Sequence, residues 1–354
     1  MAGALSRLLI FLGPYCAVSF PVIFCIFYPS VLQAAQAPCA TLQQVDALEQ
    51  YLFAHPQDAK ARYTLQRLLS LPPCNQTPTA TSPQPSTYRV NLTLGWDSNP
   101  AQFSDQRLVK LTTEAGTVTA LNAYNPYPTL FQAIQAQGRL GPWDLTLFWR
   151  HDQEGVRDHR IVFHSRYPWL RSTGMRTHLV LGLSRELGTT GYLLGLTGAH
   201  SVSHPLLAGW RITLQRHPEE SWLDGLKSQI YLQWSRFDVG QITLTGSLRQ
   251  PRLARWPGGT SKTLGIEWER AATINNLPHT FILSWRYITD TNGWSPLLKN
   301  NAVRSATQWS ARWQTWPGGE HEPYSLFVHW SSQHSNLDLF AWTQLQAGIQ
   351  WRLK

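Results

Sequence analysis

Two stretches of the sequence carry residue types that serve catalysis. His334, Ser335 and Asn336 follow one another, and these types occur in serine hydrolase sites. Adjacent strand residues point to opposite faces, so His334 and Ser335 can share a site only where the backbone turns. No G-x-S-x-G pattern marks a nucleophile. The second stretch holds Glu267 and Glu269, which share a strand face and are of the type that forms an acid/base pair.

A polar interior offers the other interpretation of these carboxylates. Glu267 and Glu269 then balance arginines such as Arg286 and Arg312, and we favour this structural role. The histidines show no metal-ligand spacing such as H-E-x-x-H, and no phosphate loop or dinucleotide fingerprint occurs. We therefore predict a protein that is not an enzyme and that holds no metal and no cofactor.

The elements that position these residues alternate between apolar and polar side chains from Tyr88 onward. VNLTLGW places Val90, Leu92, Leu94 and Trp96 on one face, and several later rows likewise end in an aromatic residue. Such rows predict β-strands. The predicted strands span 87–96, 131–140, 143–152, 159–166, 176–185, 190–201, 207–216, 226–236, 239–250, 260–270, 279–290, 304–315, 323–333 and 342–353.

Composition indicates which solvent these strands face. Only 14% of the residues are charged, whereas Trp occurs 17 times, and mean hydropathy is −0.26. A membrane β-barrel has this composition, because only alternate residues meet lipid and aromatic residues gather at both interfaces. Each row is long enough to cross a bilayer at a tilt. We predict a mainly β protein, a transmembrane antiparallel barrel of about 14 strands, with twelve or sixteen as alternatives.

Connection lengths predict which end of the barrel faces outward. The connections at 97–130 and 291–303 are long, whereas those at 141–142 and 237–240 are short. Bacterial barrels have short periplasmic turns and longer outer loops, so both chain ends of the barrel are predicted to be periplasmic. Asp/Ser/Asn clusters end several rows, and these types end strands by bonding their own backbone.

These clusters are therefore placed on the outer rim. Those of the first strand and of the last hairpin are predicted to meet where the barrel closes, and turn chemistry is their favoured role. A ligand or partner site on the rim is the alternative. The rim motif consists of Trp96, Asp97, Ser98, Asn99, His334, Ser335 and Asn336.

The phase of the rows also predicts the residues of the lumen. The candidates for contact with an anion or a client are Arg89, Arg150, Arg211, Arg286, Arg312, Arg352, Glu267 and Glu269. A basic lumen favours anionic solutes or polymers. In the alternative, ion pairs fill a plugged interior, the 97–130 segment folds inward, and its QRLVKLTT stretch pairs with the wall.

The residues before the barrel divide into three parts. Residues 1–37 are predicted to be a signal peptide that ends in small residues, with an uncleaved anchor as the alternative. Residues 38–74 show helical spacing, which predicts a hairpin like one tetratricopeptide (TPR) unit. Cys39 and Cys74 flank it and are predicted to form a disulfide. Residues 75–87 are a Pro/Thr/Ser-rich linker to the barrel at 88–354.

GWDSNP near the start of the barrel, SNLDLFAWTQLQAGIQWRL at its end and the TPR-like region in front resemble the surface lipoprotein assembly modifier (Slam) family. The resemblance implies a helical-repeat region before a fourteen-stranded outer-membrane barrel that helps exported lipoproteins reach the cell surface. This chain differs in having a single hairpin and in ending Arg-Leu-Lys rather than with an aromatic residue.

The expected location is thus the outer membrane of a Gram-negative bacterium, with the hairpin in the periplasm. Expected partners are outer-membrane lipid, the barrel-assembly machinery and an exported lipoprotein or polymer client. The net charge of +9 does not point to nucleic acid in an exported chain without a basic helix. The alternative functions are a porin or exopolysaccharide-type export channel, and a structural or adhesive barrel with a plugged lumen.

Overall fold

The computed structural model describes most of the chain from residue 88 to residue 353. The residues left out of this span are 101, 103, 105–107, 122–127, 154–159, 173–174, 187–188, 204, 219–223, 237, 253–256, 296–297, 299–301 and 320–321. Before residue 88 it describes Leu48, Ala61 and Thr64, all three in helical conformation. The predicted signal peptide, disulfide and linker lie outside the described residues, as does nearly all of the predicted hairpin.

Sixteen strands occur in the described part of the chain. They are β1 (Tyr88–Asp97), β2 (Leu108–Thr113), β3 (Gly116–Leu121), β4 (Thr129–Leu140), β5 (Trp143–Asp152), β6 (Arg160–Ser172), β7 (Met175–Glu186), β8 (Thr189–Ser203), β9 (Leu206–Arg216), β10 (Gly225–Arg236), β11 (Gly240–Pro251), β12 (Ser261–Ile274), β13 (Leu277–Gly293), β14 (Val303–Thr315), β15 (Tyr324–Ser335) and β16 (Trp342–Leu353). A short 3₁₀ turn, Asp338–Phe340, separates the last two.

Fourteen of these strands form a closed antiparallel barrel in which each strand pairs with its neighbour in sequence and β1 pairs with β16. Closure satisfies the backbone donors and acceptors that an open sheet edge would expose to lipid. Each barrel strand overlaps one of the predicted strands, so the predicted fold class and strand number are confirmed.

The two faces of the wall differ as the alternation requires. Large apolar side chains such as Leu94, Ile230 and Leu283 are exposed on the outer face, whereas Asn91 and Ser331 are buried on the inner face. Tryptophans lie near the short turns, and the Trp268 indole N–H donates to the Val239 carbonyl at 2.9 Å. This surface is the one that lipid requires of a barrel.

Connection lengths agree with the predicted orientation at most positions. Two-residue turns at Gly141–Pro142 and Asn275–Asn276 join strands at the end of the barrel that is predicted to be periplasmic. Gly141 and both asparagines have positive φ, as tight hairpins require. Two connections depart from the pattern. The outer link between β7 and β8 spans only residues 187–188, and the inner link between β14 and β15 spans residues 316–323.

The segment 97–130 differs from the prediction that its QRLVKLTT stretch pairs with the wall. Residues 108–113 form β2, which pairs with β3 in a separate two-stranded sheet. The hairpin contacts outer connections, through a bridge from Thr113 to Leu298 and a hydrogen bond from the Lys110 amide to the Asp338 carboxylate. Pairing with the wall is therefore wrong, because the two short strands satisfy each other's backbone.

No helix among the described residues is both long enough and apolar enough to cross a membrane.

Candidate functional site: the lumen and its outer rim

Cross-strand register fixes which side chains point into the barrel, since directly paired residues share a face. Gln229 pairs with Arg211, Ser284 with Glu267, and Asn91 with Arg352. By this register the inner face carries all the predicted lumen residues: Arg89, Arg150, Arg211, Arg286, Arg312, Arg352, Glu267 and Glu269.

A group of basic residues, here called the basic arc, crosses the inner face from β9 to β13. It consists of Arg211, Lys227, Arg249 and Arg286. Lys227 lies directly opposite Arg249 and experiences electrostatic repulsion from the other three members. Within the described part of the chain, no member of the arc forms an ion pair with an acidic side chain. The arc is therefore a concentration of uncompensated positive charge.

A glycine on β12 brings Arg286 into the arc. Gly265 lies directly opposite Arg286, and a Cβ on Gly265 would be 3.2 Å from Arg286 Cγ. The long side chain of Arg286 therefore lies across β12 toward β11. A larger residue at Gly265 would push the guanidinium away from the wall and out of the arc.

Other glycines let bulky side chains lie flat along the wall. The ring of Tyr231 on β10 covers Gly209 on β9, and the ring of His164 covers Gly182. A ring that lies over a glycine fills the space of the missing side chain and does not project toward the barrel axis. The middle of the lumen is therefore wider than it would be if these bulky side chains projected toward the barrel axis.

The outer end of the closure seam, where β1 meets β16, carries a buried polar network. Asp97 is fully buried and accepts hydrogen bonds from Arg150 Nη2 at 2.7 Å and from Gln346 Nε2 at 2.7 Å. Gln344 Nε2 donates to both carboxylate oxygens at 3.0 Å. Arg150 also binds Asp152 at 2.6 Å. We call Asp97, Arg150, Asp152, Gln344 and Gln346 the seam network.

Ser98 and Asn99 extend the pairing of β1 with β16 beyond the strand. The Leu345 amide donates to Ser98 Oγ at 2.8 Å, and the Ser98 amide donates to the Leu345 carbonyl at 2.9 Å. Asn99 Nδ2 donates to the Thr343 carbonyl at 3.2 Å. Trp96, by contrast, points outward and is 37% exposed. The polar members of this half of the rim motif therefore close the seam.

Below the seam network two glycines face each other across the seam. A Cβ on Gly348 would lie 2.8 Å from the Gly95 Cα, so only glycine permits the strands to approach this closely. Phe131 and Phe327 cover the two glycines from the adjacent strands. The Arg150 guanidinium lies 4.2 Å from the Phe131 ring centroid, a cation–π contact that joins this layer to the network above.

The His334–Asn336 stretch has a different neighbour. His334 and Ser335 both lie in β15 and so point to opposite faces, which separates the two side chains. The Asn336 side chain continues the pairing with β14, because its Oδ1 accepts from the Ser305 amide at 2.7 Å and its Nδ2 donates to the Val303 carbonyl at 2.8 Å. This stretch binds β14 and does not reach the seam. The 3₁₀ turn beyond it does, through a hydrogen bond from Ser104 Oγ to the Asp338 carbonyl at 2.7 Å.

Two further buried aspartates organise the outer rim. Asp290 accepts from the Trp294 indole at 2.6 Å and from Arg304 Nη2 at 3.0 Å, and the Arg304 guanidinium lies over the Trp294 and Phe340 rings. The polar cluster at residues 289–292, near the outer end of β13, thus also fastens a loop.

Asp224, just before β10, accepts from Arg216, Arg252 and the His217 amide. Burial raises the pKa of this carboxyl, but the bonds from His217, Arg216 and Arg252 outweigh burial and lower its pKa below the usual value.

The two candidate glutamates face the interior as expected. Glu269 attracts the Arg312 guanidinium electrostatically, and its role in balancing the lumen arginines stays a prediction. Glu267 lies opposite Thr243 and Ser284. The described residues contain no cluster of three or more His, Cys, Asp or Glu side chains suited to a metal ion.

Sequence reasoning missed Lys227, Arg249 and the two glutamines that bind Asp97. The alternation of β10 and β11 contained the signal for the two basic residues, since they share the phase of Gln229 and Ser247. Gln344 and Gln346 follow the polar phase of the last strand, but nothing local links them to a carboxylate that lies 247 and 249 positions away.

Comparison with known proteins gives the following. No family model matches the chain, and no curated protein matches it. Among solved structures, a bacterial polysaccharide outer membrane secretin is similar at 10% identity and a TM-score of 0.43, over 75% of this chain and 98% of that one.

The outer membrane channel DcaP of Acinetobacter baumannii is similar at 8% identity and a TM-score of 0.43, over 76% and 97% of the two chains. Pseudomonas aeruginosa OprD is similar at 10% identity and a TM-score of 0.41, over 76% and 95%. At these values the likenesses do not indicate what this chain binds, and membership of the Slam family stays a prediction.

Proposed function

We propose that this protein is an outer-membrane channel whose lumen admits anionic solutes or polymers. The observation that carries the proposal is the basic arc, which places uncompensated positive charge on the inner face. Positive side chains along a pore lower the barrier to anions and raise the barrier to cations. The apolar outer face and the closed fourteen-stranded wall support an outer-membrane location for this channel.

The dimensions of the barrel support a channel. Fourteen strands at a spacing of about 4.8 Å and a tilt of about 40° enclose a backbone cylinder roughly 28 Å across. Barrels of 8 strands are filled by their side chains, whereas those of 16–18 strands leave an aqueous channel. The rings that lie flat over Gly209 and Gly182 favour the open interior.

A second positive group lies near the periplasmic end of the seam. Arg352 on β16 pairs with Asn91 on β1. Arg89 lies two residues before Asn91 and is repelled electrostatically by Arg352. The basic arc lies across the barrel from this pair, since five strands separate β9 from β1 on one side and two strands separate β13 from β16 on the other. An anion that leaves the arc therefore meets positive charge again before the periplasmic end.

The test is ion selectivity in a planar bilayer with a KCl gradient. The wild-type protein is expected to favour chloride. Changing all four arc residues to glutamine should lower the anion-to-cation permeability ratio about tenfold, which corresponds to about 1.4 kcal/mol. The matched control is Lys262→Gln, because Lys262 is an exposed basic residue that shares the outward phase of Leu264 on β12.

Two results would contradict the channel. A folded wild-type protein that passes no current overturns the open lumen. Equal loss of selectivity in the arc variant and in Lys262→Gln would show that net charge, not the arc, sets the preference. Folding of each variant is checked by its heat-modifiable mobility.

A second candidate function is assistance to exported lipoproteins, and the edge of β3 favours it. Among the described residues β3 pairs with β2 along one side only, and most of its residues are exposed, Val118 and Leu121 at 52% and 68%. An exposed, uncharged edge can accept an extended segment of another chain as an added strand. Thr119→Pro removes one backbone donor from β3. It should abolish cross-linking of a lipoprotein client at β3 while leaving ion conductance unchanged.

A further inference from the structure

Two aromatic rings lie against the inner wall of the barrel beside the basic arc. The ring of Tyr231 on β10 covers Gly209 on β9, and the ring of His164 on β6 covers Gly182 on β7. Each ring residue is directly opposite the glycine that it covers, so both rings have the inward phase. One face of each ring therefore lies on backbone, and the other face is turned toward the lumen.

Two arginines act on both rings. Arg166 lies two residues after His164 on β6, and Arg211 lies two residues after Gly209, the glycine that Tyr231 covers. Two residues along a strand span about 7 Å. Both guanidiniums act electrostatically on the His164 imidazole and on the Tyr231 hydroxyl, so the four side chains form one group. We call His164, Arg166, Arg211 and Tyr231 the ring site.

The arginines of the ring site are open to the lumen. Arg166 and Arg211 are exposed although both have the inward phase. Asp144 lies directly opposite Arg166, but the carboxylate of Asp144 is 3.8 Å from Arg139 Nε. Within the described ranges of the chain, neither Arg166 nor Arg211 forms an ion pair with a carboxylate. Both guanidiniums can therefore bind an anionic group that enters the lumen.

Polar side chains continue from the ring site across the wall. Arg211 is directly opposite Gln229 on β10, and Gln229 is directly opposite Ser247 on β11. Lys227 lies two residues before Gln229 and directly opposite Arg249, so this row leads into the rest of the basic arc. A chain molecule that lies along this wall can contact a ring, an amide, a hydroxyl and several cations in succession.

These side chains favour a ligand with three properties. Carboxylates suit the guanidiniums, which offer parallel N–H donors. Hydroxyl groups suit the Gln229 amide and the Ser247 hydroxyl, which can both donate and accept hydrogen bonds. A C–H surface suits the open ring faces, which carry negative potential. A sugar unit that bears a carboxylate has all three properties.

A small aromatic acid would fit this surface less well. Small ligands bind in concave sites that bury most of their surface, whereas the side chains of the ring site are spread along an open wall. An oligosaccharide gains its contacts from several units in succession, so it does not need an enclosed pocket.

We propose that the ring site binds acidic oligosaccharides, with sugar faces on Tyr231 and His164 and carboxylates on Arg166 and Arg211. The inference rests on the proposed channel, since the ligand reaches the site through the lumen, and it narrows the anion to one chemical class. Chloride requires only the charges of the basic arc. The oligosaccharide requires the two rings as well.

The test is isothermal titration calorimetry of the purified full-length protein in detergent with two tetrasaccharides. One is a β-linked tetramer of glucuronate, and the other is cellotetraose, which has the same backbone without the carboxylates. The acidic tetramer is expected to bind the wild-type protein about tenfold more tightly than cellotetraose. Arg166→Gln should weaken binding of the acidic tetramer and leave that of cellotetraose unchanged.

The contribution of the rings is measured separately. Tyr231→Leu should raise the Kd of the acidic tetramer about tenfold, because it removes one stacking face. Tyr231→Phe keeps the ring and should leave the Kd unchanged. The matched control is Tyr192→Leu, because Tyr192 is an exposed tyrosine with the outward phase on β8. If Tyr231→Leu fails to fold, His164→Leu provides the same test at the other ring.

Three results would overturn the ring site. They are an unchanged Kd in a folded Tyr231→Leu variant, equal affinity for cellotetraose and the acidic tetramer, and an affinity for benzoate that matches that of the acidic tetramer. Chloride selectivity should stay unchanged in the ring variants, because the basic arc keeps its charges. Tetramer binding by a protein that passes no current would overturn the channel alone, whereas chloride selectivity without tetramer binding would overturn the ring site alone.

Discussion

The seam network and the basic arc place similar side chains on the same inner wall with opposite results. In the seam network, Arg150 lies between two buried carboxylates at 2.7 and 2.6 Å, and two glutamines complete the hydrogen bonds. In the arc, Lys227 faces Arg249 directly with no acidic partner among the described residues. The first arrangement holds strands together, whereas the second keeps charge available. A positive charge in a barrel lumen therefore reveals its role through its partners.

The largest effect is expected where the seam network loses its cation. Arg150→Gln leaves Asp97 and Asp152 buried beside each other, which should lower the free energy of unfolding by about 3 kcal/mol. Urea unfolding of the refolded barrel measures this. The control is Arg139→Gln on β4, since the Arg139–Asp144 pair is longer, at 3.8 Å, and more exposed. That change should cost less than about 1 kcal/mol. Equal losses would contradict the special role of the seam.

The glycine layer of the seam gives the next effect. Gly348→Ala places a Cβ against the Leu94 carbonyl oxygen and the Gly95 Cα. The strands must then separate, at a cost of about 2 kcal/mol. Gly246→Ala is the matched control on the outer face of β11, where the nearest atom would be 3.5 Å away. If Gly348→Ala leaves the midpoint of heat-modifiable mobility unchanged, the two strands of the seam can accommodate the methyl group without loss of stability.

Asp224 tests whether a buried carboxylate bound by arginines stabilises the outer rim as Asp97 stabilises the seam. Its lowered pKa means that the carboxylate stabilises the fold above the unfolded-state pKa of about 3.9, and that this stabilisation is lost as the pH falls through the lower folded-state pKa. Asp224→Asn should cost about 1 kcal/mol at pH 7. The difference from wild type should shrink below about pH 4. A difference independent of pH would assign the loss to packing.

The smallest effect has the opposite sign. Lys227→Gln removes a charge that repels Arg211, Arg249 and Arg286, so it should raise the free energy of unfolding by about 0.5 kcal/mol. The gain should disappear in 1 M salt, where the screening length is only about 3 Å. A loss of stability at low salt would mean that Lys227 has a stabilising partner, and the contrast between the two regions would then fail.

The wall of this barrel could be predicted from the sequence because every strand alternates apolar residues, which face lipid, with polar residues, which face the interior. The inward phase of Arg211 and Arg286 followed from that alternation alone. Side-chain direction did not follow, since the displacement of Arg286 over Gly265 depends on a neighbouring strand. The hairpin of β2 and β3 was missed, although two short β-branched runs flank Glu114 and Ala115 there.

The seam was foreseen only as a meeting of chain ends. Closure places the first and last strands side by side, but it does not say that Asp97 will meet Gln344. Such pairs arise from the register in which the ring closes. Register depends on the summed pairing of all fourteen strands, which no local pattern contains.

The position of the seam network has a consequence for how the barrel assembles. Asp97 and Gln344 are 247 positions apart in the chain. Their contact belongs to the pairing of β1 with β16, which closes the longest loop in the barrel. Non-local pairings form late, because the entropy of loop closure must be overcome before they give any return. The hydrogen bonds that Gln344 and Gln346 donate to Asp97 are then absent while the strands accumulate and appear in the last step. Weakening them should leave the folding rate nearly unchanged and accelerate unfolding.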